Sequence, residues 1–257
     1  MTDAARFRLD GRTALVTGAA RGLGRAISLA LADAGADVAL GLRDVERDGG
    51  LAAEIERLGR RALPLQMDVT RPGEIEAAVR ATVAELGSLD LLVNNAGGGA
   101  GNVPVEEVSL EAFERTFDVN VNGTFHTCRA AFPAMRERGF GRIVNVSSQA
   151  ALVALPGEAV YCAAKAAVTH LTRCLAVEWG RHGINVNAVA PTFVHTPGTR
   201  PALADAAFRA EVEERIAALH RIGEPAEVAG AVVFLCSPAA SLITGETLVI
   251  DGGWTIR

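Results

Sequence analysis

Lysine and tyrosine are almost missing from this chain of 257 residues. One of each occurs, Lys165 and Tyr161, and every other basic residue among the 25 is arginine. Aromatic residues make up only 5% of the chain, and no basic block or aromatic-interleaved basic stripe is present. Nucleic acid is therefore not an expected partner, and the net charge of −5 points the same way. The four cysteines, Cys128, Cys162, Cys174 and Cys236, form no CxxC pair and no metal-ligand spacing. They read as reduced packing residues of a cytoplasmic protein that holds no metal. No apolar run reaches membrane-spanning length without glycine, proline or polar interruption. The stretch MTDAARFRLDGR has none of the apolar character of a signal peptide.

What is abundant is alanine, glycine and valine, in a chain that is 49% hydrophobic. Short apolar runs alternate with longer amphipathic stretches. TALVT (13–17) precedes a helical run over 23–34, and DVALGL (37–42) leads to a helix through 54–59. ALPLQM (62–67) precedes a helix over 72–86, and LDLLV (89–93) precedes a glycine-rich loop and a long helix around 111–137. RIVNVS (142–147), a helix over 158–180 and INVNAVA (184–190) follow, then two shorter helices and TLVI (247–250). Repeated strand–helix alternation predicts an α/β fold with a doubly wound parallel sheet, in one domain over 1–257. The stretch 192–222 breaks the alternation and carries apolar residues at helical spacing. It reads as a small helical lid over a substrate.

TGAARGLG (17–24) stands between the first strand and the first helix. Gly18 permits a tight turn, Gly22 lets backbone approach a ligand, and Gly24 allows close helix packing. The helix N-terminus beyond offers free amides and partial positive charge to a pyrophosphate. The lone tyrosine and lysine sit in YCAAK (161–165), four residues apart, so a helix places both on one face. With NNAG (94–97) and Ser148 upstream of YCAAK, these motifs resemble the short-chain dehydrogenase/reductase family, in its order and over essentially the whole chain. The resemblance implies a Rossmann-type fold, a nicotinamide cofactor, and frequently a homotetramer.

A free tyrosine, with pKa about 10, is a poor base at neutral pH; bringing it near 7 takes roughly 4 kcal/mol. One cation at about 4 Å supplies a similar amount at an effective dielectric near 20. Lys165 is placed to be that cation. The resemblance makes Tyr161 the acid/base and gives Lys165 a hydrogen bond to the nicotinamide ribose. It gives Ser148, rather than its neighbour Ser147, the polarisation of the substrate oxygen, and Asn120 in FDVNVNG a proton-relay water. Asn120 also reads as a buried amide in a kinked helix.

The family likeness further implies cofactor contacts from Gly18, Arg21, Gly22, Leu23, Gly24, Arg43, Asp68, Val69, Asn94, Ala96, Gly97, Tyr161, Lys165, Val194 and Thr196. Asn94 and Asn95 read equally as structural residues at the sheet end. Leu42 stands where NAD-using members carry aspartate. Arg21 and Arg43 suit a 2′-phosphate, which favours NADP; NAD is the alternative, through Asp44. In APTFVHT (190–196), Thr192 replaces the family's usual glycine, which puts that loop's backbone in question. Ser148, Gln149, Leu155, Glu158, Tyr161 and His195 are the expected substrate contacts.

The expected reaction is hydride transfer between NADP(H) and a carbonyl or secondary alcohol on a small polar molecule such as a sugar, polyol or keto acid. Reduction of 3-oxoacyl thioesters on acyl-carrier protein is the alternative, although Pro133 and Val177 stand where such reductases carry docking arginines. A reading of another class is a non-catalytic nicotinamide-binding redox sensor.

Overall fold

Strands with apolar residues at successive positions need cover on both faces, and β1 (Thr13–Thr17), β2 (Asp37–Leu42), β4 (Leu91–Asn94) and β5 (Gly141–Val146) are buried at every position. The computed structural model describes residues 3–99 and 101–256. With β3 (Ala62–Gln66), β6 (Ile184–Pro191) and β7 (Thr247–Ile250) these strands form one parallel sheet, ordered β3-β2-β1-β4-β5-β6-β7. The order reverses direction between β1 and β4, which pair through Ala14–Leu91, Leu15–Leu92 and Val16–Val93. In such a sheet the crevice beyond the strand ends at that reversal is where ligands bind.

The helices are α1 (Gly22–Asp33), α2 (Leu51–Arg57), α3 (Pro72–Leu86), α4 (Leu110–Phe117), α5 (Gly123–Arg138), α6 (Ala159–Trp179), α7 (Arg200–Leu203), α8 (Ala206–Arg215) and α9 (Pro225–Cys236). Alternation along the strands divides the core into two layers. Val16, Leu40 and Val93 pack with Ile27 and Leu31 of α1, Ile55 of α2, and Val228 and Val232 of α9. Leu15, Ala39 and Leu92 face the other way, onto Ile75 of α3, Cys128 of α5 and Leu175 of α6. This is the doubly wound, Rossmann-like arrangement that the alternation predicts.

The differences are local. The long helix expected around 111–137 is two helices joined by a π-turn over Asp118–Asn122, with Asn120 buried inside it. Three short helices follow β6 rather than two. Thr192 fits without strain: His220 is the one non-glycine at positive φ among the described residues. The Thr192 amide simply extends the β6–β7 pairing by donating to the Ile250 carbonyl at 3.1 Å.

The 192–222 excursion folds into α7 and α8 over its own small core. Leu203, Val212, Ile216 and Ile222 close on Trp254, with Val153, Leu155, Phe193 and Phe208 at the edges. The DGGW stretch (251–254) anchors it, because the Gly252 carbonyl accepts from the amides of Ala218 and Leu219, each at 3.1 Å.

Candidate active site

The glycine cluster lies at the C-terminal end of β1, and its glycines are required by space as well as by angle. Gly18 and Gly22 both adopt left-handed backbone, with φ of 64° and 57°. A Cβ on Gly24 would run into the Gly18 carbonyl, so α1 packs directly on the turn before it. A Cβ on Gly22 would come 3.3 Å from Thr196, which brings the loop after β6 against the glycine turn. Val194, Thr196 and Thr199 are tied together there: the Thr199 hydroxyl donates to the Val194 carbonyl at 2.5 Å and lies 3.1 Å from the Thr196 hydroxyl. The sequence offers little signal for Thr199 beyond a loop threonine, whose hydroxyl can bond nearby backbone.

Thr17, the last residue of β1, was also unremarked. Its hydroxyl accepts from the amides of Asn95 and Ala96, each at 3.0 Å, and so fixes the NNAG loop beside the glycine turn. The Asn95 amide group returns a bond to the Thr17 carbonyl at 2.9 Å. Asn94 does not join the cleft: its side chain turns into the sheet and donates to Asn145 Oδ1 at 2.8 Å. Val69 is buried and packs under Gly123, while Asp68 turns its carboxylate to the amide and hydroxyl of Thr70.

At the end of β2, Asp44 is occupied. Its carboxylate accepts from the Glu46 amide at 3.2 Å and pairs with Arg47 at 3.0 Å. The side chains of Arg21 and Arg43 are exposed and make no hydrogen bond or ion pair among the described residues.

Four side chains converge across the cleft from there. Asn120 is held in its π-turn by bonds from Nδ2 to the carbonyls of Thr116 and Gly98, both at 2.8 Å. A Cβ on Gly97 would meet Asn120 Oδ1 at 2.7 Å and Lys165 Nζ at 3.1 Å, so the loop, the amide and the ammonium share one small space. Lys165 is buried, donates to the Val146 carbonyl at 2.8 Å and stands 5.6 Å from the centre of the Tyr161 ring. Ser148 caps the short turn Gln149–Ala151: its hydroxyl accepts from the Ala150 amide at 3.1 Å and donates to Gln149 Oε1 at 2.8 Å. Ser147 points elsewhere, to Thr169 at 2.8 Å on the inner face of α6.

The electrostatics of this group differ from the simple expectation. Burial pushes the Tyr161 phenol up to about 12, against the pull of its hydrogen bond with Ser148, and the Glu158 carboxylate adds to the rise. Burial lowers Lys165 to about 8. Lys165 does not offset the rise at Tyr161: its ammonium donates to the Val146 carbonyl and stands 5.6 Å from the ring centre. In the chain by itself Tyr161 is therefore a neutral acid at neutral pH.

Of the expected substrate contacts, Gln149 is buried and accepts from Ser148, Leu155 packs on the small core of 192–222, and half-buried Glu158 lies one turn before Tyr161. His195 is exposed, with Nε2 3.9 Å from Glu224.

Comparison with known proteins agrees with this architecture. A family model described as "Enoyl-(Acyl carrier protein) reductase" matches residues 18–255. D-threitol dehydrogenase of Mycolicibacterium smegmatis is 43% identical over 98% of this chain and 95% of its own. The structure of a gluconate 5-dehydrogenase from Burkholderia cenocepacia in complex with NADP and tartrate superposes with a TM-score of 0.95, at 36% identity over 99% of both chains. A 7α-hydroxysteroid dehydrogenase complexed with NADH superposes with a TM-score of 0.92, at 34% identity over 98% of both chains. The chain belongs to the short-chain dehydrogenase/reductase family, the nicotinamide-dependent oxidoreductases of CH–OH groups.

Proposed function

We propose that this chain interconverts a secondary alcohol and its carbonyl on a small polar substrate, a sugar, polyol or keto acid, with NADP(H) as the partner and Tyr161 as acid/base. The observation that carries the reading is the convergence of Asn120, Ser148, Tyr161 and Lys165 beside the Gly97–Gly99 loop. The left-handed glycine turn and the cradle at Gly97, which a Cβ would fill, fit a nicotinamide dinucleotide. Gly18, Gly22, Leu23 and Gly24 would hold its pyrophosphate; Asp68, Val69, Ala96 and Gly97 would flank the remainder. Val194 and Thr196 would face the nicotinamide, and Lys165 its ribose.

When held there, a nicotinamide dinucleotide would supply or take up the hydride. In the reductive direction Tyr161 gives its proton to the developing alkoxide, and its neutral state suits that role. Ser148 holds the substrate oxygen next to the phenol by turning its single hydroxyl proton from Gln149 Oε1 to that oxygen. Lys165 and Asn120 stand behind Tyr161 where a proton can be returned to it. NADP is favoured over NAD because Arg21 in the glycine turn and Arg43 after β2 have no ion-pair partner among the described residues, whereas Asp44 is engaged with Glu46 and Arg47.

The working form we infer is a cytoplasmic homotetramer. Two apolar surfaces support it, one exposing Phe113, Phe125 and Val177 on α4 to α6, the other exposing Leu242, Val249 and Ile256 around the edge strand β7. Two self-complementary faces are what a tetramer with paired two-fold axes needs.

The test is nicotinamide absorbance with NADP and NAD in parallel, against polyols, aldoses, secondary alcohols and hydroxy acids, with a 3-oxoacyl thioester in the reductive direction. Turnover of an alcohol with NADP is expected, and Tyr161→Phe should lower kcat by about 10²–10⁴-fold while leaving cofactor binding intact. Turnover only with NAD would transfer the ribose contact to Asp44. Turnover unchanged in Tyr161→Phe would reject the assignment of the acid/base.

A further inference from the structure

Glu158 precedes the first turn of α6, where a side-chain oxygen can turn back to cap the free amides. This one makes no capping bond. Among the described residues its carboxylate has no ion pair and no hydrogen bond. Oε2 lies instead against the Gly97–Gly99 loop: a Cβ on Gly99 would stand 2.9 Å from that oxygen and 3.7 Å from Cβ and Cδ2 of Tyr161. The carboxylate and the Tyr161 ring thus border the same space. Burial without a partner holds the Glu158 carboxyl above the ordinary carboxylate range.

The surrounding cations do not offset it. Lys165 is held by the Val146 carbonyl. On the lid and its exit, Arg209, Arg215 and Arg221 pair with Glu213, Glu211 and Glu227. His195 and Arg200 are exposed, and the nearest carboxylate to His195 is Glu224. The fixed charge facing a substrate beside Tyr161 is negative, and it accepts hydrogen bonds without being able to donate any while ionised.

We propose that Glu158 selects the substrate by accepting hydrogen bonds from hydroxyls next to the reacting carbon, so that the substrate is an uncharged polyol with neighbouring hydroxyls. The inference rests on the dehydrogenase function proposed above and narrows it. A polyol supplies the donors that the half-buried carboxylate lacks, in charge-assisted bonds about twice as strong as neutral ones. A sugar acid or keto acid brings a second carboxylate into the same low-dielectric space. It offers acceptors where donors are needed, and the like charges repel.

The experiment measures kcat/KM of the intact enzyme for polyols of three to six carbons, for the aldonates of matching length, and for a matching amino-deoxy polyol. Wild type should prefer the best polyol over its matching acid by about 100-fold or more, as expected where a like charge and an unmet acceptor act together. Glu158→Gln, which keeps the shape and removes the charge, should raise the acid's kcat/KM by about tenfold or more and change the polyol's by less. Equal use of acid and polyol by wild type would overturn the inference without any variant. So would an acid-to-polyol ratio that Glu158→Gln leaves unchanged, or a preference for the amino compound, which would make the carboxylate an ammonium site. Absence of turnover on every alcohol, with the cofactor still quenching protein fluorescence, would instead overturn the dehydrogenase reading.

Discussion

The buried pair on α6 titrates in opposite directions, and each direction carries a consequence for stability. Lys165, lowered from 10.5 to about 8, binds fewer protons in the native than in the unfolded chain between those values. Stability should therefore rise with pH through that interval, by an amount on the order of 3 kcal/mol, and be lost again as pH falls toward 8. Tyr161, raised from 10.0 to about 12, keeps its proton longer in the native state, so its contribution is lost as pH climbs through 10 to 12. Denaturant unfolding at pH 7.5 and 10 should show the rise in wild type and its absence in Lys165→Met, with the variant the more stable at the lower pH. An identical rise in both would mean that other groups carry it. Spacing alone put these two side chains on one helix face. It gave no measure of burial, and so the expected phenolate near neutral pH became a neutral phenol once desolvation was included.

Among the elements, the 192–222 excursion and the π-turn were the least legible in sequence. The strands were readable because both faces of the sheet are covered, so each appears as an apolar run, and glycine spacing marked the turn after β1. The π-turn at 118–122 was legible only as a kink at a buried Asn120; its bounds and its bond to Gly98 follow from the fold. Likewise Thr17 and Asn95 join strand ends 78 residues apart, a contact no local pattern encodes. The amphipathic stripe of 192–222 was visible, but its anchor was not, because Trp254 lies far along the chain at the end of the DGGW stretch. Trp254→Ala should cost about 3–5 kcal/mol of packing, concentrated on α7 and α8. The expected result is faster proteolytic cutting within 200–222 and a raised KM for substrate, with cofactor affinity unchanged. A rise in cofactor Kd equal to that in KM would show that Trp254 supports the whole cleft rather than its lid.

For the molecule as a whole, the two exposed apolar surfaces predict assembly. Val177, 85% exposed on α6, is a position where a single charge tests the helical surface without touching the core. Light scattering should give a four-chain mass for the wild type and a two-chain mass for Val177→Asp, provided β7 still joins the remaining pair. A single-chain mass for the wild type would reject the assembly. No helix among the described residues is long and apolar enough to cross a membrane. The arginine-for-lysine composition has a further chemical outcome at this scale. With its sole ε-amine buried at 4% exposure between Val146 and Asn120, the protein offers reagents that acylate or methylate lysine no surface side chain to attack. Reductive methylation with ¹³C-formaldehyde, carried out on unfolded protein that is then refolded, would place an isotopic reporter inside the cleft, where one side-chain resonance would follow occupancy directly.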